Sequence, residues 1–331
     1  MLSTPTLNLL SPTSLTTETL TETFLKKASP QLVSEWEPRR ACWLFWNDDW
    51  SVEARQEFVS FCRAVSSFDE SLGVSRGEKL EILVSSPSAL FDAESALQSL
   101  NARFHLVPYG AVHLRDHAPV FVRHPDQSMA TLNLTDLDRG GPTELPHDDS
   151  TPAWIVGAVG GSLASQPKTI LPSQIETDGQ GTALLPLSHL IAAQTSLAAW
   201  MKGVGAPLGI VHTIVLDDSE MPDWRKGRLD RLARFAGPGV LLISTELSQV
   251  SPHASQIFRQ SIDFALDARG RSLQVIEIPH PRAEVRSSYL EFYISNSAVI
   301  VPQFEDSQDQ RALARLSRWF PDRRTVGVNA V

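Results

Sequence analysis

The chain has 331 residues, of which 42 % are apolar and 20 % charged, with a formal net charge of −9 at pH 7 and a pI near 5.5. That length and apolar content support one large domain or two ordinary ones with a substantial core. The acidity argues against a nonspecific nucleic-acid coat while leaving a local basic patch and a specific RNA partner open.

Residues 1–30 are rich in Ser and Thr, hold three prolines and carry no basic residue before Lys26. They lack a secretory or transit pattern and read as a mobile tail. From there, short runs of β-branched and aromatic residues recur and predict strands. The runs are Cys42–Trp46, Leu80–Val84, Phe104–Val107, Ala130–Leu134, Trp154–Val159, Ile210–Leu216, Val240–Ile243, Leu273–Ile278, Phe292–Ile294 and Ala298–Val301. Helical patterns lie between them. Val52–Ser67 has Ser51 as its N-cap and a stripe of Phe58, Cys62 and Val65; Ser88–Leu100 lines up Leu90, Ala93, Leu97 and Leu100. Further helices are expected at Leu187–Lys202, at Pro252–Asp267 with proline in the first turn, and at Gln308–Trp319.

Strands and helices thus alternate in irregular ββα-like units, without the Gly-rich phosphate loop of a nucleotide-binding Rossmann domain. The polar loop Asp136–Ser150 is short for an interdomain linker, so residues 31–331 read as one α/β domain. No stretch approaches the roughly 20 apolar residues needed to span a bilayer. The two cysteines, Cys42 and Cys62, sit in apolar segments as small buried hydrophobes, which fits a reducing, cytoplasmic setting better than a disulfide.

The candidate site begins at the end of the apolar segment 209–216, where Asp217-Asp218-Ser219-Glu220 places three carboxylates in four residues. Abutting a buried strand, such a cluster can move protons, hold an amine or guanidinium, or bind a divalent ion. Behind it follow Arg225, Lys226, Arg228, Arg231 and Arg234, either a charged surface helix or turn, or a phosphate-contacting patch. A second basic cluster on the last predicted helix, Arg311 to Arg324, is explained equally well by solvation. Arg115-Asp116 is an ionic pair at a strand entrance, serving either as a structural bridge or as a guanidinium-reading carboxylate. His113 and His117 have zinc-pair spacing, but Pro119 turns their segment from helix into loop and strand, and no metal is assigned. His147-Asp148-Asp149 reads as solvated loop.

Several stretches together resemble the agmatine deiminase and bacterial-type peptidylarginine deiminase branch of the pentein superfamily. They are Glu35-Trp-Glu-Pro38 with Cys42–Trp46, Arg115-Asp-His-Ala-Pro-Val-Phe-Val122, Gly160-Gly161, Asp178-Gly-Gln-Gly-Thr182, residues 227–239, Ser288–Asn296 and Val299–Pro302. The resemblance implies a pentein-type α/β propeller of ββαβ-like units in pseudo-fivefold arrangement, with Asp116 and Asp230 at positions that grip a guanidinium. It also implies a changed catalytic set. Arg228 stands at the deiminase histidine and Val159 at the glutamate before the paired glycines, and Val331 precedes the segment that supplies the nucleophilic cysteine.

The acidic run in turn is similar to the Asp-Asp-x-x-Glu signature of fungal arginine-containing cyclodipeptide synthases, one residue shorter in its spacing. That likeness implies a tRNA-dependent aminoacyltransferase that joins arginine from arginyl-tRNA to a second amino acid from another aminoacyl-tRNA, with no cofactor. Asp217, Asp218 and Glu220 would deprotonate the attacking amine, Asp116 and Asp230 would hold the guanidinium, and Arg225, Lys226, Arg228 and Arg231 would meet the tRNA. The alternatives are a noncatalytic arginine or agmatine binder built on the deiminase frame, and a residual guanidine deiminase.

Overall fold

The structure, a computed structural model, describes residues 30–69, 71–107, 114–134, 151–161, 163–165, 170–222, 226–245, 252–282 and 285–330. The expected tail over 1–30 lies outside these residues except for Pro30, as do His113, His147-Asp148-Asp149 and Arg225.

A two-residue strand β1 (Gln31–Leu32) precedes an all-parallel first sheet. In that sheet β2 (Ala41–Phe45) crosses over through α1 (Val52–Ser66) and a small hairpin, β3 (Phe68–Asp69) and β4 (Val74–Ser75). The chain continues into β5 (Lys79–Val84), then through α2 (Pro87–Leu97) into β6 (Ala102–Leu106). Both helices begin as their sequences dictate. Ser51 Oγ accepts from Ala54 N at 3.2 Å, and Ser86 Oγ accepts from Ala89 N at 3.1 Å with Pro87 in the first turn.

After α3 (Leu114–His117), β7 (Val120–Arg123) opens a different plan. It turns back antiparallel into β8 (Met129–Asn133), α4 (Thr151–Val159) crosses over, and β9 (Leu163–Ser165) returns parallel; β1 adds to the outer edge. The plan recurs with β10 (Glu176–Thr177), β11 (Thr182–Pro186), α5 (Leu187–Ala192), α6 (Leu197–Trp200) and β12 (His212–Leu216). Then α7 (Leu229–Leu232) leads into β13 (Ala233–Gly237), β14 (Val240–Ser244), α8 (Pro252–Gln260) and β15 (Gln274–Ile278). The final round is β16 (Tyr293–Ile294), β17 (Ala298–Gln303), α9 (Asp309–Ser317) and β18 (Arg324–Asn329). Parallel neighbours need a crossover, and in each unit helix supplies it.

The middle strands are buried on both faces, which is why they read as unbroken apolar runs rather than alternating ones. The larger core clusters each join strands of two sheets. Leu80, Ile82 and Val84 meet Cys62 and Val65 of α1 and Ala93 and Leu97 of α2, and Ala298 and Ile300 of β17 close that cluster. Phe235, Leu241 and Ile243 meet Ala254 and Phe258; Val299 and Val301 meet Ala312, Leu316 and Phe320. A fully buried side chain such as Phe258 contributes roughly 2–3 kcal/mol. No helix among the described residues is long and apolar enough to cross a membrane.

Three expectations fail. Trp154–Val159 is helix rather than strand. Its buried residues Thr151, Pro152, Ile155 and Val156 repeat every four, and Pro152 is tolerated in the first turn. The helix expected over Leu187–Lys202 breaks after Ala192, where Gln194 takes a φ of 48° and Ser196 Oγ caps a new helix through Ala199 N at 3.2 Å. The basic stretch ending at Arg234 is not a surface helix, because its last part becomes β13 and Arg234 is fully buried.

Candidate functional site

The three carboxylates of the acidic run leave β12 in different directions. Asp217 Oδ1 accepts from Ser219 N at 3.1 Å and Ser219 Oγ at 2.6 Å, closing its own turn. Asp218 is fully buried and accepts from Ser188 N (2.8 Å), Ser188 Oγ (2.6 Å) and Gly227 N (2.8 Å). Glu220 is exposed. The run therefore does not converge on one point. Asp218 instead ties the start of α5 to Gly227, whose φ of +77° turns the chain immediately before Arg228.

The residues that do converge come from distant segments. At the start of α7, Arg228 forks onto Asp230, with Nε donating to Oδ1 at 3.0 Å and an Nη donating to Oδ2 at 2.8 Å. The same guanidinium lies 3.6 Å from Glu291, which also accepts from Arg231 Nε at 3.0 Å and from Ser288 N at 3.1 Å. Burial opposes ionisation of Asp230, yet the Arg228 hydrogen bonds and the nearby charges of Arg115, Arg228 and Arg234 hold its carboxyl below the ordinary aspartate value. Asp116, on α3, accepts from Ser173 N at 2.9 Å through Oδ1, which anchors it to the turn ahead of β10.

Beneath lies an arginine–glutamate cluster. Arg234 donates to the carbonyls of Leu290 (2.8 Å) and Phe292 (3.3 Å), hydrogen-bonds Glu35, and holds Nε 3.2 Å from Glu176; its guanidinium also lies over the Phe292 ring at 4.6 Å. Arg115 donates to Glu35 at 2.9 Å and lies 3.9 Å from Glu176. Glu176 accepts from Phe235 N at 3.1 Å, and burial raises its carboxyl above the ordinary range against the pull of Arg234. Glu35 moves the other way, lowered against burial by Arg115, Arg234 and Arg39. The side chains of Arg115 and Glu35 are 38 % and 31 % exposed, so solvent screens their pair. Rigidity comes from Glu176 and Arg234, both out of solvent.

Of the expected site residues, the structure brings Arg228 and Asp230 into direct contact and seats Asp116 on the turn before β10. Arg231 faces Glu291, Lys226 is exposed beside Gly227, and Asp217 and Glu220 stand apart. Glu35, Arg115, Glu176, Arg234 and Glu291 were missed as site members. Their signal was present: Glu35-Trp-Glu-Pro, Arg115 and the Arg-Phe of 234–235 belong to the stretches that carry the family resemblance. Nothing local says that residues 199 apart in sequence share a charge pair.

Cys42 of β2 and Cys62 of α1 pack in one cluster with Trp46, Val65 and Ile82. Burial pushes the Cys42 thiol up to about 12 and Cys62 well above its ordinary value, so neither supplies a thiolate at neutral pH.

The repeated strand–strand–helix–strand sheets and the arginine–carboxylate cluster they contribute to belong to a mixed α/β fold. The chain superposes on an agmatine deiminase of Enterococcus faecalis with a TM-score of 0.77 at 23 % identity, covering 91 % of each chain. It superposes on a C. jejuni agmatine deiminase solved with substrate bound with a TM-score of 0.76 at 18 % identity, covering 92 % and 91 %. A Streptomyces coelicolor sequence, named provisionally as an agmatine deiminase, is 24 % identical over 326 residues, 89 % of this chain and 92 % of its own. The chain belongs to the Porphyromonas-type peptidyl-arginine deiminase family, whose model matches residues 31–331.

These matches overturn the cyclodipeptide-synthase reading. Proteins aligned over about nine-tenths of the chain are named for agmatine rather than for a tRNA, and the family is one of hydrolase-type deiminases, not aminoacyltransferases. Arginyl-tRNA and a second aminoacyl-tRNA fall as partners with it, as do the tRNA contacts assigned to Arg225, Lys226, Arg228 and Arg231. The amine-activating role expected of Asp217, Asp218 and Glu220 belonged to that reading; in the structure Asp218 is committed to three hydrogen bonds that shape the loop.

Proposed function

We propose that the protein is a pseudo-deiminase, a noncatalytic binder of a small guanidinium compound of the arginine or agmatine kind, held between Asp116 and Asp230. The observation that carries this reading is the bidentate clasp of a guanidinium, that of Arg228, on the buried Asp230 carboxylate. Carboxylates that fork onto a planar guanidinium give directional, charge-assisted recognition. Hydrolysis of a guanidine needs a thiolate to attack and a group of intermediate pKa to carry protons. Here Cys42 and Cys62 are protonated and buried, and Arg228, permanently charged, stands where the resemblance places the histidine. On the same reading residues 31–331 act as one domain, the five larger sheets among the described residues set around the Glu35–Glu176–Arg234 cluster in a pseudo-fivefold propeller.

Calorimetry with agmatine and with free arginine tests the binding, and an ammonia-release assay on the same samples tests turnover. Saturable binding of at least one ligand with no ammonia or ureido product is the expected result. Ammonia release from agmatine would return the protein to the deiminases proper. No binding to wild-type protein would remove the proposal.

A further inference from the structure

We propose that Arg228 is a built-in guanidinium ligand: it occupies Asp230 in the resting protein, and an incoming guanidinium compound binds by displacing it. This rests on the reading that the site takes such compounds, and it adds what controls their entry.

Three features of the geometry support displacement over a fixed structural bridge. The two partners differ in exposure: the Asp230 side chain is 5 % exposed and that of Arg228 is 32 % exposed, so the carboxylate is set and the arginine reaches solvent. Both carboxylates also tolerate the departure of Arg228. Asp230 keeps the charges of Arg115 and Arg234 nearby, and Glu291 keeps Arg231 at 3.0 Å and Ser288 N at 3.1 Å. A buried carboxylate stripped of every partner would make exchange prohibitive; here one guanidinium is traded for another. Finally, the backbone at Arg228 is held independently of its side chain, since Gly227 N is fixed to Asp218 and Leu229 and Leu232 are buried. The side chain can swing while α7 stays in place.

The fork of Arg228 on Asp230 is a charge-assisted, bidentate pair, so a ligand must reproduce that geometry to replace it. A ligand carrying its own guanidinium matches that geometry, and its remaining atoms add contacts that Arg228 lacks. The apparent affinity of the site is thus reduced by the fraction of molecules in which Arg228 is seated.

The test is calorimetric titration of agmatine into wild type, Arg228→Ala, Arg228→Gln and the double variant Arg228→Ala with Asp230→Asn. Removing the competitor is expected to tighten agmatine binding at least tenfold, and the added Asp230→Asn change to abolish the gain. Methylguanidine, which mimics only the arginine head, is expected to raise the melting temperature of Arg228→Ala, showing that the place vacated on Asp230 takes a free guanidinium; no rise would contradict the proposal. Should Arg228→Ala fail to fold, Arg228→Gln, similar in length and uncharged, carries the same comparison. Equal or weaker agmatine binding in the variants overturns the displacement, while wild-type binding would leave the proposed function standing. Binding by the variants alone would show that Arg228 closes the site rather than yielding to a ligand, and would overturn both the displacement and the proposed function of the wild-type protein.

Discussion

Asp230 keeps its charge inside the protein because arginines outweigh the burial that opposes it. The sign of the resulting pH dependence follows. A carboxyl whose folded pKa lies below its unfolded value of about 3.9 contributes stability that is present above that value and is lost as pH falls through the folded pKa. Asp230→Asn removes this contribution at every pH. Urea midpoints of wild type and variant are therefore expected to differ most near pH 7 and to draw together below pH 4; a gap that stays constant down to pH 2 would contradict the account. Glu176 behaves oppositely. With its folded pKa raised by burial, it favours the folded state most when protonated, and that contribution fades as pH rises through the shifted value.

At the scale of elements, the loop between β12 and α7 shows why adjacent carboxylates need not share a role. Asp218 satisfies a backbone amide at each end of the segment it spans, Ser188 N and Gly227 N, whereas Glu220 points into water. Asp218→Ala leaves those donors buried without an acceptor and is expected to lower stability by about 3 kcal/mol. Because Gly227 adjoins Arg228, the same change is expected to alter agmatine affinity. Glu220→Gln is expected to stay within about 0.5 kcal/mol of wild type and to leave affinity unchanged. Denaturant melts and titrations on the pair separate the two residues; equal effects would contradict the distinction. The split of the expected helix into α5 and α6 is a similar local decision, because Ser196 offers a better start as an N-cap than a continued turn offers as helix.

Across the whole molecule, Arg234 joins parts that lie far apart in sequence. From β13 it reaches Glu35 ahead of β2, Glu176 of β10 and the carbonyls of Leu290 and Phe292 ahead of β16. Neighbouring sheets already share apolar clusters, and this polar knot adds a link among the segments at β10 and β13 and ahead of β2 and β16. Arg234→Met preserves most of the volume but leaves two glutamates short of a cation, and is expected to destabilise by about 3–5 kcal/mol. Unfolding is expected to remain a single transition, shifted down in denaturant. Loss of one sheet ahead of the others would show that the knot is not shared.

Apolar strands, capped helices and the alternation between them are local properties, written in runs such as Leu80–Val84 and in caps such as Ser51. They were legible from residues alone, because burial and orphan helix amides act within a few positions. The ordered stretches from Glu35 to Pro302 carried the fold family as well. A continuous apolar run such as Trp154–Val159 does not distinguish helix from strand, and packing against its neighbours settled it as α4. The site was beyond the reach of local reading for a sharper reason. Charge density singled out Asp217–Glu220, yet chemistry depends on which charges meet, and that is set by chain crossings between residues up to 199 positions apart. Only the tertiary structure turned the acidic run into loop scaffolding and placed the guanidinium of Arg228 on Asp230.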